Sequence, residues 1–142
     1  MRGEVYTVNG KRWFAFGGAE STDRAWRVER QSWWRQETPS LDEYNNGVRQ
    51  LRANNFEIDY VFTHAIPYCL KDGIYIRDIV PNPATEFMLQ DFYRMIEFKY
   101  WFCGHYHMDV MLDSSVRICY NSIVEIVDDK LYKITSTDRW QL

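Results

Sequence analysis

The sequence predicts an α/β protein in which helices pack against a mixed sheet. Three observations predict this class: a hairpin pattern opens the chain, helix and strand patterns alternate in its middle, and short strands in hairpin order close it. Helix-strand alternation favours parallel strands, whereas hairpins produce antiparallel ones. A chain of 142 residues is long enough for one domain with a single core.

The first element is a hairpin over residues 3–18, GEVYTVNGKRWFAFGG. Two β-rich runs flank Asn9-Gly10, a residue pair typical of two-residue hairpin turns. Residues 19–39 are rich in Arg, Trp, Glu and Ser and lack a clean period. We expect an irregular or partly helical surface segment there.

Ser40 and Glu43 form the sequence signature of a capping box, so a helix is predicted over residues 41–55. The same reasoning from period and punctuation predicts the remaining elements in this order: a strand over Ile58–Thr63, a long connection over 66–83, a helix over Ala84–Phe98, a strand over Tyr100–Cys103, and two or three short strands between Val110 and Thr135.

Composition excludes several classes of protein. The net charge is −3, from 17 basic and 20 acidic residues, which gives no overall electrostatic reason to expect a nucleic acid or an anionic membrane as partner. The sequence shows neither a signal-peptide pattern at its start nor an apolar stretch of membrane-spanning length. We expect a soluble, cytoplasmic protein. Its three widely spaced cysteines, Cys69, Cys103 and Cys119, predict reduced thiols rather than a disulfide framework.

The three histidines of the chain each follow an apolar run. His64 ends DYVFTH, and His105 and His107 follow YWFC-Gly104. In an extended chain, residues two apart face the same side, so His105 and His107 are expected to converge on one target. Gly104 is expected to allow a sharp turn and a close approach.

A metal ion is the target that this placement favours. Imidazole suits zinc, iron and manganese, and three histidines with an open position are enough for a catalytic zinc site. The alternative is one histidine hydrogen-bonded in the core and another in solvent.

Two segments resemble the last two motifs of the calcineurin-like metallophosphoesterases. VFTHAIP, at 61–67, is similar to the motif with a histidine after a hydrophobic strand, and FCGHYH, at 102–107, is similar to G-H-x-H. FAFGGAESTDRAWR, at 14–27, is similar to the strand and loop between the early and late motifs. The resemblance extends from the opening hairpin to about Val127.

The resemblance implies an αββα sandwich, two sheets flanked by helices, and a phosphoesterase that hydrolyses phosphomonoesters or phosphodiesters. It implies two divalent ions, of manganese, iron or zinc, that activate water for attack on the phosphoester. Carried over by position, His64 and His105 are ligands of one ion, and His107 is a ligand of the other.

The N-terminal motifs of that family, D-x-H, G-D-x-x-D and G-N-H-D/E, are missing from this sequence. Residues 1–142 are therefore expected to form a single partial domain, the C-terminal portion of the sandwich, with half of the dinuclear site absent. Three neutral imidazoles cannot offset the charge of two divalent ions, so one ion per chain or none is expected. Either a complementing N-terminal half or a homo-oligomer would supply the rest. Four carboxylates are candidate substitute ligands or, alternatively, turn and surface residues: Asp59, Asp72, Asp109 and Asp113.

RAWRVERQSWW, at 24–34, interleaves arginines with tryptophans. A platform for single-stranded nucleic acid is one interpretation, but the acidic net charge favours a surface segment with its tryptophans packed inward. Under the resemblance, Arg24 is expected at the rim of the site, where it would contact a phosphate. Asn121-Ser122 either orients the histidine loop or forms a plain turn.

Two further functions stay open. One is a non-catalytic fragment, or an oligomerisation module, whose histidines are vestigial. The other is a zinc hydrolase that uses one ion and the three histidines alone.

Overall fold

The computed structural model describes residues 2–21, 24–74, 83–134 and 139–141. The helices and strands are β1 (Arg2–Val8), β2 (Lys11–Phe16), α1 (Leu41–Ala53), β3 (Glu57–Thr63), α2 (Ala84–Met95), β4 (Glu97–Cys103), β5 (Val110–Met111), β6 (Val116–Ile118), β7 (Ile123–Val127), β8 (Lys130–Ile134) and β9 (Arg139–Gln141). Short 3-10 helices lie at Arg24–Trp26, Arg35–Glu37 and Tyr68–Gly73.

The described residues form two sheets. The main sheet has six strands in the order β1-β2-β3-β4-β6-β5, and the small sheet has three in the order β7-β8-β9. Strands β2, β3, β4 and β6 run parallel, while β1, β5 and all pairs of the small sheet are antiparallel. The prediction of a mixed α/β fold is confirmed at this level.

The opening hairpin is confirmed, with Asn9 and Gly10 both at positive φ, at 50° and 74°. Strand β1 also approaches α1 unusually closely. Gly3 has a φ of 74°, and a Cβ built on it would lie 2.6 Å from the backbone nitrogen of Gly47. A glycine is therefore required where the strand meets the helix.

The first helix begins at the predicted capping box, in which the Ser40 hydroxyl accepts from the Glu43 amide. It ends at Ala53 rather than at residue 55, because Asn55 and Phe56 have positive φ values of 55° and 57°. Strand β3 then begins at Glu57.

The second helix begins at Ala84 as predicted but ends at Met95, so the prediction of helix through Phe98 is wrong. Ile96 is extended, and Glu97 and Phe98 pair with the start of β3. Pairing with β3 provides hydrogen bonds for the backbone N–H and C=O groups that another helical turn would otherwise have paired. Strand β4 therefore starts at Glu97, three residues earlier than predicted.

Both helices cover one face of the main sheet. Phe92 of α2 lies at the centre of this core, with ring centroids 5.2 Å from Phe14, 4.9 Å from Phe16 and 5.2 Å from Tyr44. The other buried members include Leu51, Val61, Leu89, Trp101 and Val116. Two successive crossovers of the same hand place both helices on this side.

The opposite face of the main sheet is aromatic and carries the small sheet. Its residues are Trp13, Tyr60, Phe62, Tyr100 and Phe102, which pack with Val124, Ile126 and Leu131. The molecule thus has three layers: helices, a six-stranded sheet and a three-stranded sheet.

A carboxylate fastens the small sheet to the main one at the amino ends of β2 and β4. Asp129, in the turn between β7 and β8, accepts from Lys11 at 3.1 Å, from Lys99 at 2.6 Å and from the Tyr60 hydroxyl at 2.8 Å. Asp59 of β3 adds a second ion pair to Lys99, at 3.0 Å.

The described residues of 19–39 are irregular apart from two 3-10 helices, which agrees with the expected irregular or partly helical segment. The connection after β3 is described as far as Ile74, and its continuation over 75–82 lies outside the described residues, as does Thr135. The predicted β tail contains four strands, of which β5 and β6 belong to the main sheet. The three cysteines are free thiols. Among the described residues, no helix combines the length and apolar character that a membrane crossing needs.

Candidate metal centre

The candidate centre forms where the parallel strands β3 and β4 end side by side. Strand β3 ends at Thr63 and β4 at Cys103, so the loops that follow them lie at one edge of the sheet. The backbone joins these loops directly, since the Gly104 amide donates to the His64 carbonyl at 3.0 Å.

Two of the predicted histidines meet at this edge. His64 Nε2 and His105 Nδ1 are 3.0 Å apart, with ring centroids at 4.8 Å and ring planes at 70°. One nitrogen donates and the other accepts, so the proton between them is carried either by His64 Nε2 or by His105 Nδ1. The pair therefore brings two possible ligand nitrogens together at this edge of the sheet.

Both imidazoles are held in the neutral form. Burial, together with the charges of His64, His107 and Lys71, lowers the pKa of His105 to about 4. Although His64 reaches solvent, the packing around its ring lowers its pKa too, as does the charge of His107. Neutral imidazole is the form that binds metal.

The third histidine is close to the pair but turned to a different neighbour. The His107 ring stacks on Tyr120, with centroids 4.8 Å apart and planes at 27°. The expectation that His105 and His107 converge as alternate residues of an extended chain is wrong, because β4 ends at Cys103.

The loop instead turns through its histidines. His105 has a φ of 67° and His107 a φ of 51°, both in the left-handed region. Gly104 has no positive φ, and a Cβ built on it would make only ordinary contacts, 3.8 Å or more away. The sharp turn expected of Gly104 is thus made by the two histidines, at a conformational cost that residues at functional sites often carry.

Asp109, just beyond the histidine loop, closes a second loop against it. Its carboxylate accepts from the amides of Tyr120, Asn121 and Ser122 at 2.9–3.2 Å, and from the Ser122 hydroxyl. The Ser122 hydroxyl and these amides hold the pKa of Asp109 well below its usual range. The interpretation in which Asn121-Ser122 is tied to the histidine loop agrees with these contacts.

The candidate carboxylate ligands have other partners. Asp59 accepts from the Arg12 amide and pairs with Lys99, and Asp113 accepts from the Ser115 and Val116 amides. Asp72 lies on the surface in the 3-10 helix after β3. Within residues 2–21, 24–74 and 83–134, no three His, Cys, Asp or Glu side chains are grouped so that they would hold a metal ion.

Arg24 lies in the irregular segment, with its guanidinium 3.9 Å from the centre of the Trp33 ring. No contact joins it to the histidines in the described part of the chain, and its role at a phosphate stays a prediction. The tryptophans are not uniformly packed inward as expected, since Trp26 is 90% exposed.

A cavity of about 1180 Å³ adjoins His64 between the two sheets. His64 and Gly104 lie at one end of it, and Lys11 and Asp129 at the other. Trp13 lines its wall, and the Trp13 indole nitrogen is buried without a hydrogen-bond partner.

Compared with protein-family models, with curated protein sequences and with solved structures, the chain gives no match.

Proposed function

We propose that this chain is part of a metal-dependent phosphoesterase, a hydrolase of phosphomonoesters or phosphodiesters. The observation that carries the proposal is the convergence of His64 Nε2 and His105 Nδ1, 3.0 Å apart, at the carboxyl ends of two parallel strands. The layered arrangement supports it, because a helix layer on two stacked sheets is what the C-terminal portion of an αββα sandwich would supply. The motifs around His64 and His105 support the calcineurin-like family.

The geometry of the pair fits a metal. Ligand nitrogens bind zinc at about 2.0–2.1 Å, so two of them at a tetrahedral angle lie roughly 3.3 Å apart. The observed separation of 3.0 Å is close to that value. A divalent ion at this point would polarise a phosphate oxygen and acidify water.

Metal binding at the pair depends on where the proton between His64 and His105 is carried. In the metal-free pair, the proton between the two rings blocks one lone pair. Binding requires His105 to carry its proton on Nε2 and His64 to carry its proton on Nδ1. Because both pKa values are lowered, neither ring takes up a second proton near neutral pH.

His107 is proposed as a ligand of a second ion. Its ring stacks on Tyr120 and takes no part in the His64–His105 hydrogen bond, which agrees with a division of three histidines between two ions. Among the described residues, no three His, Cys, Asp or Glu side chains are grouped so that they would hold such an ion, so further ligands would be needed. Manganese, iron and zinc are all compatible with imidazole ligands.

The remaining ligands are proposed to come from a complementing polypeptide or from a second copy of the chain. Strand β7 supports this, because in the described chain it pairs on one side only, with β8. Ile123 of β7 is 66% exposed. A strand that carries β-branched residues and pairs on one side only in the described chain can pair with another strand.

The test is metal content by elemental analysis, together with hydrolysis of bis(p-nitrophenyl) phosphate in added manganese. His64→Gln and His105→Gln should each abolish turnover and the binding of the ion at the His64–His105 pair, whereas Asn45→Ala, on the exposed side of α1, should change neither. Light scattering on the same samples reports whether the chain is a monomer.

The alternatives give different results. Stoichiometric zinc with turnover in a monomer, lost in His107→Gln as well, would favour the hydrolase with one ion. A stable oligomer with neither metal nor turnover would favour the non-catalytic module with vestigial histidines. Either result would overturn the proposal of a dinuclear phosphoesterase.

A further inference from the structure

We propose that Tyr106 is a positioning residue that fixes the His64–His105 pair by tying both histidine loops to the largely buried Glu86–Lys71 ion pair. The inference rests on the proposed function in one respect: it takes the histidine pair to be a ligand pair. Tyr106 is the residue between the two histidines of GHYH. Nothing in its spacing or type marks it as part of a metal site.

The Tyr106 hydroxyl connects the two loops. It donates to Glu86 Oε1 at 3.2 Å and accepts from the Ile66 amide at 3.2 Å. Ile66 lies two residues after His64, and Tyr106 directly follows His105. One hydroxyl group thus reaches the loop of each histidine in the pair.

The anchor of this connection is buried and charged. Glu86, in the first turn of α2, is 3% exposed, and its Oε2 lies 2.6 Å from Lys71 Nζ. Removing one member of a buried ion pair leaves an unpaired charge and is strongly unfavourable, so such a pair holds its position. The Tyr106 hydroxyl is therefore bonded to a group that cannot easily move.

The Tyr106 ring also bears on the pair directly. It contacts the His105 ring edge to face, with centroids 5.0 Å apart and planes at 85°. His105 and His107, on either side, have the positive φ values that surrounding contacts must enforce. Contacts at Tyr106 hold the middle of that strained turn.

The consequence is a specific effect of one oxygen atom. Tyr106→Phe keeps the ring and its contact with His105 but releases the Ile66 amide and one oxygen of Glu86. Groups that orient a ligand without touching the metal typically change metal affinity by about 10- to 100-fold. We expect a loss of Co²⁺ affinity in that range, with little change in the fold.

The control is Tyr93→Phe. The Tyr93 hydroxyl also donates to a carboxylate, Asp113 at 3.4 Å, and Tyr93 lies on α2, the helix that carries Glu86, but neither Tyr93 nor Asp113 contacts the histidines. Both variants lose one tyrosine hydroxyl bound to one carboxylate. A purely structural role for Tyr106 would lower thermal stability and leave the affinity unchanged.

The experiment is a Co²⁺ titration of the full chain, followed by its visible absorption. We expect Tyr106→Phe to weaken binding at least tenfold and to alter the ligand-field bands, while Tyr93→Phe reproduces the wild type. Equal affinity and equal spectra for Tyr106→Phe and the wild type would overturn the inference.

A second measurement separates this inference from the proposed function. Amide hydrogen exchange needs no metal, and the Ile66 amide should exchange at least tenfold faster in Tyr106→Phe, with Val61 in β3 unchanged. If the wild type binds no Co²⁺, the proposed function fails while the exchange result still decides whether Tyr106 joins the loops. If the variant does not fold, an unprotected Ile66 amide in the wild type refutes the connection, and a protected one upholds it.

Discussion

Acid should destabilise the metal-free protein at a pH where carboxylates are still ionised, and His105 should be responsible. In the unfolded chain His105 titrates near 6.5, whereas in the folded protein its pKa is about 4. Above pH 6.5 both states leave the ring neutral, so the free energy of unfolding is at its full value. As the pH falls from 6.5 to 4, the unfolded state binds the proton first and is favoured.

The size of the effect follows from the two pKa values. Each pKa unit corresponds to about 1.36 kcal/mol, so a difference of roughly 2.5 units gives at most about 3.4 kcal/mol at low pH, and about 2.6 kcal/mol near pH 4.5. His105 is only half-buried, and solvent screening reduces this to about 1–2 kcal/mol. For a chain of this size that is a shift in Tm of roughly 3–6 °C.

The assay is urea unfolding with a chelator present, at about pH 7 and about pH 4.5, for the wild type and His105→Gln. The wild type should lose more stability between the two pH values than the variant does, by about 1 kcal/mol or more. Because each protein is compared with itself at the two pH values, the pH-independent effect of the substitution on the free energy of unfolding cancels. An equal loss in both proteins would show that His105 is not held neutral by burial, and the reasoning would fail.

Three further substitutions test the packing by thermal and urea unfolding. Gly3→Ala should cost about 2 kcal/mol more than Gly10→Ala, because both have a φ of 74° but only Gly3 lies against the backbone of α1; equal costs would contradict the close approach. Phe92→Ala should cost about 3–5 kcal/mol, since its ring lies at the centre of the helix-side core, and a loss below about 1 kcal/mol would place the core elsewhere. Thr63→Val should cost about 1–3 kcal/mol, because Thr63 Oγ1 accepts from the buried Trp101 indole at 2.8 Å; a neutral result would show that water reaches that nitrogen.

Local chemistry made part of the fold predictable. Asn9-Gly10 specifies a two-residue turn without reference to the rest of the chain, and Ser40 with Glu43 specifies a helix start in the same way. The meeting of His64 and His105 was predictable from one tertiary rule, the shared edge of parallel strands.

The features that sequence reasoning missed depend on contacts between distant segments. Helix α2 ends early because Glu97 pairs with β3. The spacing of apolar residues along the helix contains no information about this pairing. The positive φ values of His105 and His107 require contacts from surrounding residues. The H-x-H pattern alone predicts an extended chain, because it contains no information about those contacts. Tyr106 and Asp109 gave no signal beyond their position next to the histidines, because the partners of Tyr106 lie 20 and 40 residues away and those of Asp109 lie 11–13 residues away.

The attachment of the small sheet has a consequence for cooperativity. Its strands pair only with one another in the described chain, and side chains hold it to the main sheet, with Asp129 and Asp109 near the two ends of β7. Units built from neighbouring residues and joined by a few side chains open below the global free energy of unfolding. The β7–β8 hairpin should therefore detach as a separate unit and uncover Tyr60 and Phe102, while the parallel strands that carry His64 and His105 stay folded.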